Sequence, residues 1–127
     1  MARELAIWDE SYEAGADLSA KQFYLVEQAT TGKVSVCNGA TDIPVGPLQN
    51  KPKSGEQAQV RLLGLSKVVS DGSGTAIAIG DWVGTDGNGK AIKKGTDKDY
   101  VIGRAQEASS ADGTVITVLL QPGFLAV

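Results

Sequence analysis

Histidine is absent from this chain of 127 residues and cysteine occurs once, at Cys37. The first absence removes the commonest general base and metal ligand, so Ser-His-Asp and Cys-His chemistry cannot be built from these residues. The second removes any intrachain disulfide and any multi-cysteine zinc site. Aromatic residues are scarce at 6%, which implies an aliphatic core. No apolar run approaches the ~20 residues of a membrane helix. The opening stretch MARELAIWDESYEAGA lacks the basic start and apolar segment of a signal peptide, so synthesis in the cytoplasm and a soluble product are expected, with no membrane partner. Positive charge is also short: 12 Lys and Arg against 15 Asp and Glu give a net of −3, too acidic for a field that grips phosphate backbones, so nucleic acid is not an expected partner.

What is present points to one β-rich domain. A chain of this length buries roughly 65–70% of its unfolded surface, enough for one core. Sixteen glycines imply frequent turns. Charge divides the chain at its start: residues 1–20 carry Glu4, Asp9, Glu10, Glu13 and Asp17 against Arg3, a net of −4 that leaves +1 for the remainder. The expected organisation is therefore an N-terminal arm or first strand over 1–20 and a β-barrel or sandwich over 21–127.

Short β-type runs separated by turn signals predict strands near 23–28, 33–37, 43–49, 58–69, 82–85, 100–105 and 115–121. Val34 and Val36 share one face, with Lys33 and Ser35 on the other. Thr31-Gly32, Asn38-Gly39, Asp71-Gly72, Asp86-Gly87, Asn88-Gly89 and Asp112-Gly113 are expected to provide the positive-φ positions of tight hairpins. Pro44, Pro47 and Pro52 confine their surroundings to edge, bulge or loop geometry. Residues 105–111 could add a helical turn or two, and Pro122-Gly123 is expected to break the last strand. The segment DGSGTAI at 71–77 returns as DGNGKAI at 86–92, which reads as turn chemistry used twice.

Candidate sites are weak by type. The loop from Asp86 has an acidic start like a calcium loop, but Lys90 and Ala91 occupy positions five and six, where a ligand and the sharp-turn glycine belong, so no metal is expected. DGSGTAIAIG lacks the fingerprint of a phosphate-cradling loop, and no cofactor is expected. Lys90, Lys93, Lys94 and Lys98 interleave with Asp97 and Asp99 and read as a solvated loop. Cys37 reads as a half-buried strand-end thiol. No pair of carboxylates stands out for acid–base catalysis, and no catalytic residue is assigned. At the ends, Leu5, Ile7 and Trp8 could anchor an arm to a neighbour's sheet edge. Phe124 and Leu125 could cover the chain's own core or complete a subunit contact.

In order, IPVGPLQNKPKSGEQAQVRLLGLSKVV (43–69), AIAIGDWVGTDGNGKAI (76–92) and YVIGRAQEASSADGTVITVLLQPG (100–123) resemble the small capsid decoration, or cement, proteins of tailed bacteriophages. The matching features are a P-x-G-x-L-Q-N-x-P segment, a G-D-x-V hairpin ending in G-K-A, and an I-G-x-A-x-E-A strand pair closing on L-x-Q-P-G. The resemblance implies an all-β, small β-barrel or β-tulip-like domain with an extended N-terminal arm. It implies a non-enzymatic role: a homotrimer on the outer surface of the virion head, clamping neighbouring subunits of the major capsid protein. On that reading Leu5, Ile7 and Trp8 meet the capsid or a sister subunit, and Phe124 and Leu125 the subunit interface. Alternative readings are a tail- or fibre-associated phage β-domain and a small β-barrel module binding sugars or peptides. The scatter of Trp8, Tyr12, Tyr24, Trp82 and Tyr100 gives the binding module no aromatic platform.

Overall fold

A computed structural model describes residues 2–96 and 98–126. Among the described residues there are nine strands and no helix: β1 (Leu5–Glu13), β2 (Leu25–Gln28), β3 (Val34–Val36), β4 (Gly46–Pro47), β5 (Gln57–Asp71), β6 (Trp82–Thr85), β7 (Ala91–Lys93), β8 (Tyr100–Ala105) and β9 (Asp112–Phe124). One sheet has the order β1-β5-β7-β6-β8-β9, and a further β5–β9 pairing closes five of these strands into a barrel. The remaining strands form a small sheet, β3-β2-β4.

Strand β5 organises the molecule because it is long enough to serve two partners. Its first half pairs antiparallel with β1, from Glu13↔Gln57 to Leu5↔Leu65, and its second half pairs with β9, from Gly64↔Leu120 to Asp71↔Asp112. The two ladders meet at Gly64, whose φ is +114° and where a Cβ would run into the Leu5 carbonyl oxygen. Only glycine accommodates that backbone and that approach. The barrel closes where Ser70 of β5 bridges Ala91 of β7 in parallel.

Two cores result, and β2 separates them. Period-two alternation sends Leu25 into the barrel with Val68, Val83, Ile102, Ile116 and Val118, while its neighbour Val26 enters a second cluster with Leu18, Val34, Leu48, Ala58 and Val60. Bridges Ala14↔Val34 and Leu48↔Val60 tie the small sheet to the end of β1 and the first half of β5. Every buried side-chain nitrogen and oxygen among the described residues has a partner; Ser70 Oγ, for example, donates to Thr114 O at 2.7 Å beside Ser109 Oγ at 2.9 Å.

Several expectations need correction. The run 43–49 forms a strand only at Gly46–Pro47, because Pro44 and Pro47 offer no amide proton; β4 is accordingly an edge. The last strand is not broken at Pro122-Gly123. It continues to Phe124, since the register slips between Gly103↔Leu120 and Val101↔Gly123 and the bulge absorbs Gln121 and Pro122. Residues 105–111 form no helical turn: Ile77 N donates to Ser109 O at 2.8 Å and Ser109 N returns to Ile77 O at 3.0 Å, so this segment adds a bridge to the barrel. Strand β7 was too short for a periodic signal. Of the six glycines assigned positive φ, Gly32, Gly89 and Gly113 have it; at Gly39, Gly72 and Gly87 the preceding or nearby carboxylate makes the turn instead. Asp71 Oδ1 accepts from Ser73 N at 3.0 Å and Asp86 Oδ1 from Asn88 N at 2.8 Å, so the two DGxG segments are the same Asx turn.

Candidate interaction surfaces

The N-terminal segment is a strand of this chain's own sheet. Of its nine residues only Asp9 and Tyr12 are partly covered, so β1 is held by its ladder and by charge more than by packing. The charge comes from Arg61, an arginine inside the apolar run AQVRLLGL that remains only 7% exposed. Its Nε donates to Asp9 Oδ1 at 2.8 Å and Nη2 to Asp9 Oδ2 at 3.2 Å, while Nη1 reaches Glu4 Oε2 at 3.3 Å and Leu65 O at 3.0 Å. Gln59 Nε2 donates to Asp9 Oδ2 at 3.0 Å, and Lys67 Nζ lies 3.3 Å from Glu4 Oε1. Such a bidentate guanidinium–carboxylate pair fixes orientation as well as distance. Its hydrogen bonds to Asp9 hold Arg61 above the ordinary arginine pKa, against the opposing effect of burial.

This clamp presents a row of apolar side chains to solvent. Leu5, Ile7 and Trp8 are all exposed, Ile7 to 71%, and Leu63 lies opposite Trp8 across the ladder. Strand β1 also ends the sheet order, so its outer edge pairs with no other strand among the described residues. An exposed edge carrying apolar side chains is a template for another chain.

A second apolar patch stands at the far end of β9. Phe124, 64% exposed, meets Tyr100 edge-on with ring centroids 6.2 Å apart. The two rings join Ile43, Pro44, Pro122 and Gly123 around a shallow groove of about 260 Å³. Leu125 is half-buried and its backbone is pinned: its N–H donates to Asp99 O at 2.8 Å and its carbonyl accepts Lys98 N–H at 2.7 Å. The structure thus groups Leu5, Ile7 and Trp8 on the β1–β5 ladder and Phe124 with Leu125 at the β8–β9 end, as two separate patches. The groove walls Ile43, Pro44 and Tyr100 were not among the expected interface residues. The usable signal was that Tyr100 opens one strand and Phe124 closes its antiparallel partner, which puts both at one end of the pair.

Several of the polar groups singled out in the sequence have partners inside the fold. Ligand atoms of Glu27, Cys37 and Asp42 lie within 4.8 Å of one another. Asp42 Oδ2 accepts the amides of Asn38 at 2.9 Å and Gly39 at 3.0 Å. Burial, and next the hydrogen bond to Asp42, raise Glu27, and that same hydrogen bond lowers Asp42, so Glu27 is the member of the pair that takes up a proton first as pH falls. Cys37 is buried instead of half-buried, and desolvation pushes its thiol up to about 12 despite a hydrogen bond with Thr85. A thiol so placed is a packing group, not a nucleophile. Asp86, the start of the calcium-like loop, spends Oδ1 on the amides of Asn88 and Lys90, at 2.8 and 2.9 Å. In the lysine cluster, Lys90 pairs with Asp112 at 2.8 Å and Lys94 Nζ donates to Ala40 O at 2.9 Å.

The geometry is that of a small closed β-barrel with two exposed apolar patches, surfaces suited to making contacts. The chain belongs to the phage cement protein family, whose model matches residues 8–120. It is therefore a structural protein of the bacteriophage head. No curated protein matches it. Among solved structures it is similar to the N base of head fiber gp8.5 in bacteriophage phi29, with a TM-score of 0.67 and 21% identity over 94% of this chain and 98% of that one. That likeness supports the fold.

Proposed function

We propose that this chain decorates the outer surface of the phage head as a homotrimer and stabilises contacts between neighbouring major capsid protein subunits. The observation that carries the reading is β1: an edge strand clamped through Arg61 and Asp9 that holds Leu5, Ile7 and Trp8 out to solvent. Backbone pairing along such an edge supplies affinity and the apolar side chains supply register. Three copies bound at once add avidity, so each contact can be modest and still resist the outward pressure of packaged DNA.

The test is binding of the purified chain to expanded heads stripped of decoration protein, followed by sedimentation. The intact chain should cosediment and raise the temperature at which heads rupture. Truncating Leu5, Ile7 and Trp8 to serine together should abolish cosedimentation while leaving the melting of the barrel nearly unchanged. Cosedimentation of that triple variant at full affinity would refute the role of β1. Recovery of the protein with tails and not with tailless heads would favour the tail-associated alternative.

A further inference from the structure

We infer that Asn88 is a site of spontaneous covalent modification: its side chain closes on the Gly89 amide and loses ammonia, while Asn38, which precedes a glycine in the same way, is protected by the fold. The inference is independent of the head-decoration reading.

The reaction has two requirements. The carboxamide carbon must come within reach of the next residue's main-chain nitrogen, and that nitrogen must be free to attack. Glycine favours the first, because it has no Cβ to obstruct the approach. Asn38-Gly39 and Asn88-Gly89 both meet it. Both asparagines are exposed, and both line one open concavity of about 430 Å³ with Lys21, Tyr24 and Lys90, so they share the same solvent. The third asparagine, Asn50, precedes a lysine and has its carboxamide held at both ends: Nδ2 donates to Gln57 O at 2.9 Å and Oδ1 accepts Gln59 N–H at 3.0 Å.

The second requirement separates the two exposed sites. Gly39 N–H donates to Asp42 Oδ2 at 3.0 Å, the same oxygen that takes Asn38 N–H at 2.9 Å. Attack by the Gly39 nitrogen would break a charge-assisted hydrogen bond and build negative charge beside a carboxylate. In the other turn Asp86 Oδ1 accepts the N–H of Asn88 at 2.8 Å and of Lys90 at 2.9 Å, and passes over the residue between them. Gly89 N–H has no acceptor among the described residues. One carboxylate therefore covers the attacking nitrogen at position 39, and the other leaves it bare at position 89.

The step balances with water as the sole co-reactant. A bond forms from Gly89 N to Asn88 Cγ, the Cγ–Nδ2 bond breaks, and the Gly89 amide proton leaves with the side-chain nitrogen as ammonia. Water then opens the cyclic imide. Opening at Cγ gives aspartate; opening at the main-chain carbonyl of residue 88 gives an isoaspartyl linkage. Nothing is oxidised or reduced. Gly89 is buried, so ring closure needs the turn to open, and the reaction belongs to ageing of the protein more than to its synthesis. Either product adds one negative charge to a chain of net −3. The isoaspartyl product also lengthens the main chain by one carbon at a crowded place: a carbon added at Gly89 would run into Val36, and the Gly89 carbonyl accepts Leu25 N–H of β2 at 2.8 Å.

The experiment is incubation of the intact chain at pH 8, native and in urea, with peptide mapping by mass spectrometry over time. In the native chain Asn88 should convert faster than Asn38 by roughly tenfold or more, the cost of breaking a hydrogen bond to a charged group. In urea the two sites should convert at similar rates. Asp42→Asn keeps an acceptor without the charge, and should speed conversion of native Asn38 while leaving Asn88 as it was. Native Asn38 converting as fast as Asn88 overturns the inference, and so does native protection of both sites with conversion only in urea. A preference for Asn88 that persists undiminished in urea also overturns it, because local sequence and not the fold would then be the cause.

Discussion

Arg61 and Asp9 close on each other across β1 and β5 with two hydrogen bonds, Nε to Oδ1 at 2.8 Å and Nη2 to Oδ2 at 3.2 Å. Because β1 contributes little to either core, this pair is what turns an acidic N-terminal segment into a strand. Replacing Arg61 by methionine preserves volume but strands Asp9 and Glu4 against the sheet. The expected loss is about 2 kcal/mol, toward the low end for breaking a partly buried ion pair, since the carboxylates regain water as β1 frays. Amide exchange should show protection lost along residues 5–13 and kept in β8 and β9; uniform loss would mean that β1 and the barrel unfold as one unit.

Gly64 is the point at which the β1 and β9 ladders share β5. Alanine there meets both a φ of +114° and the Leu5 carbonyl oxygen. We expect Gly64→Ala to cost roughly 3 kcal/mol or more by urea denaturation. Gly55→Ala, at a φ of +83° with open space around the added carbon, should cost only about 1 kcal/mol, the conformational penalty without the collision.

Cys37 should resist alkylation. With its thiol raised to about 12 by burial, the thiolate is nearly absent at pH 8, and iodoacetamide should modify the native chain only through unfolding. Labelling in urea should be fast. Fast labelling of the native chain would place Cys37 outside the barrel core.

The Glu27–Asp42 pair predicts an unusual pH response. Glu27 is raised above 4.5, so its contribution is present below 4.5 and lost as pH climbs through the raised value. Asp42 is lowered from 3.8, so its contribution is present above 3.8 and lost as pH falls through the lowered value. The loop from Asn38 to Asp42 is tightest between those limits, and at neutral pH two carboxylates face each other. Glu27→Gln keeps a donor toward Asp42 without the charge, and should stabilise the protein at pH 7 by about 0.5 kcal/mol while changing little near pH 4. Melting temperatures of both proteins across pH 4 to 8 give the comparison; an equal difference at every pH would rule the pair out as its source.

Much of this fold was legible because its signals are local. The β8 strand and the Trp82–Thr85 strand coincide with the runs expected at 100–105 and 82–85, and β2 and β3 sit inside 23–28 and 33–37. Alternation and bounding turn residues act within a few positions, so sequence order is enough to show them. Extended β9 was harder to see because Pro122 is tolerated only through a bulge whose partner, Gly103, is 19 positions away. Arg61 was hidden for the same reason: its carboxylate partners lie 52 and 57 residues off, and nothing near it in sequence says which carboxylates it meets.

The sequence by itself determined that this protein is built from strands, that histidine-dependent chemistry is beyond it, and that its charge is concentrated at its start, because composition and short-range patterning are properties of the unfolded chain. Tertiary structure alone decided that the acidic segment runs along β5, that Cys37 is sealed within the barrel, and that Phe124 faces Tyr100 across a groove, because each depends on the register of strands far apart in the chain, and register is set by which side chains find a common core.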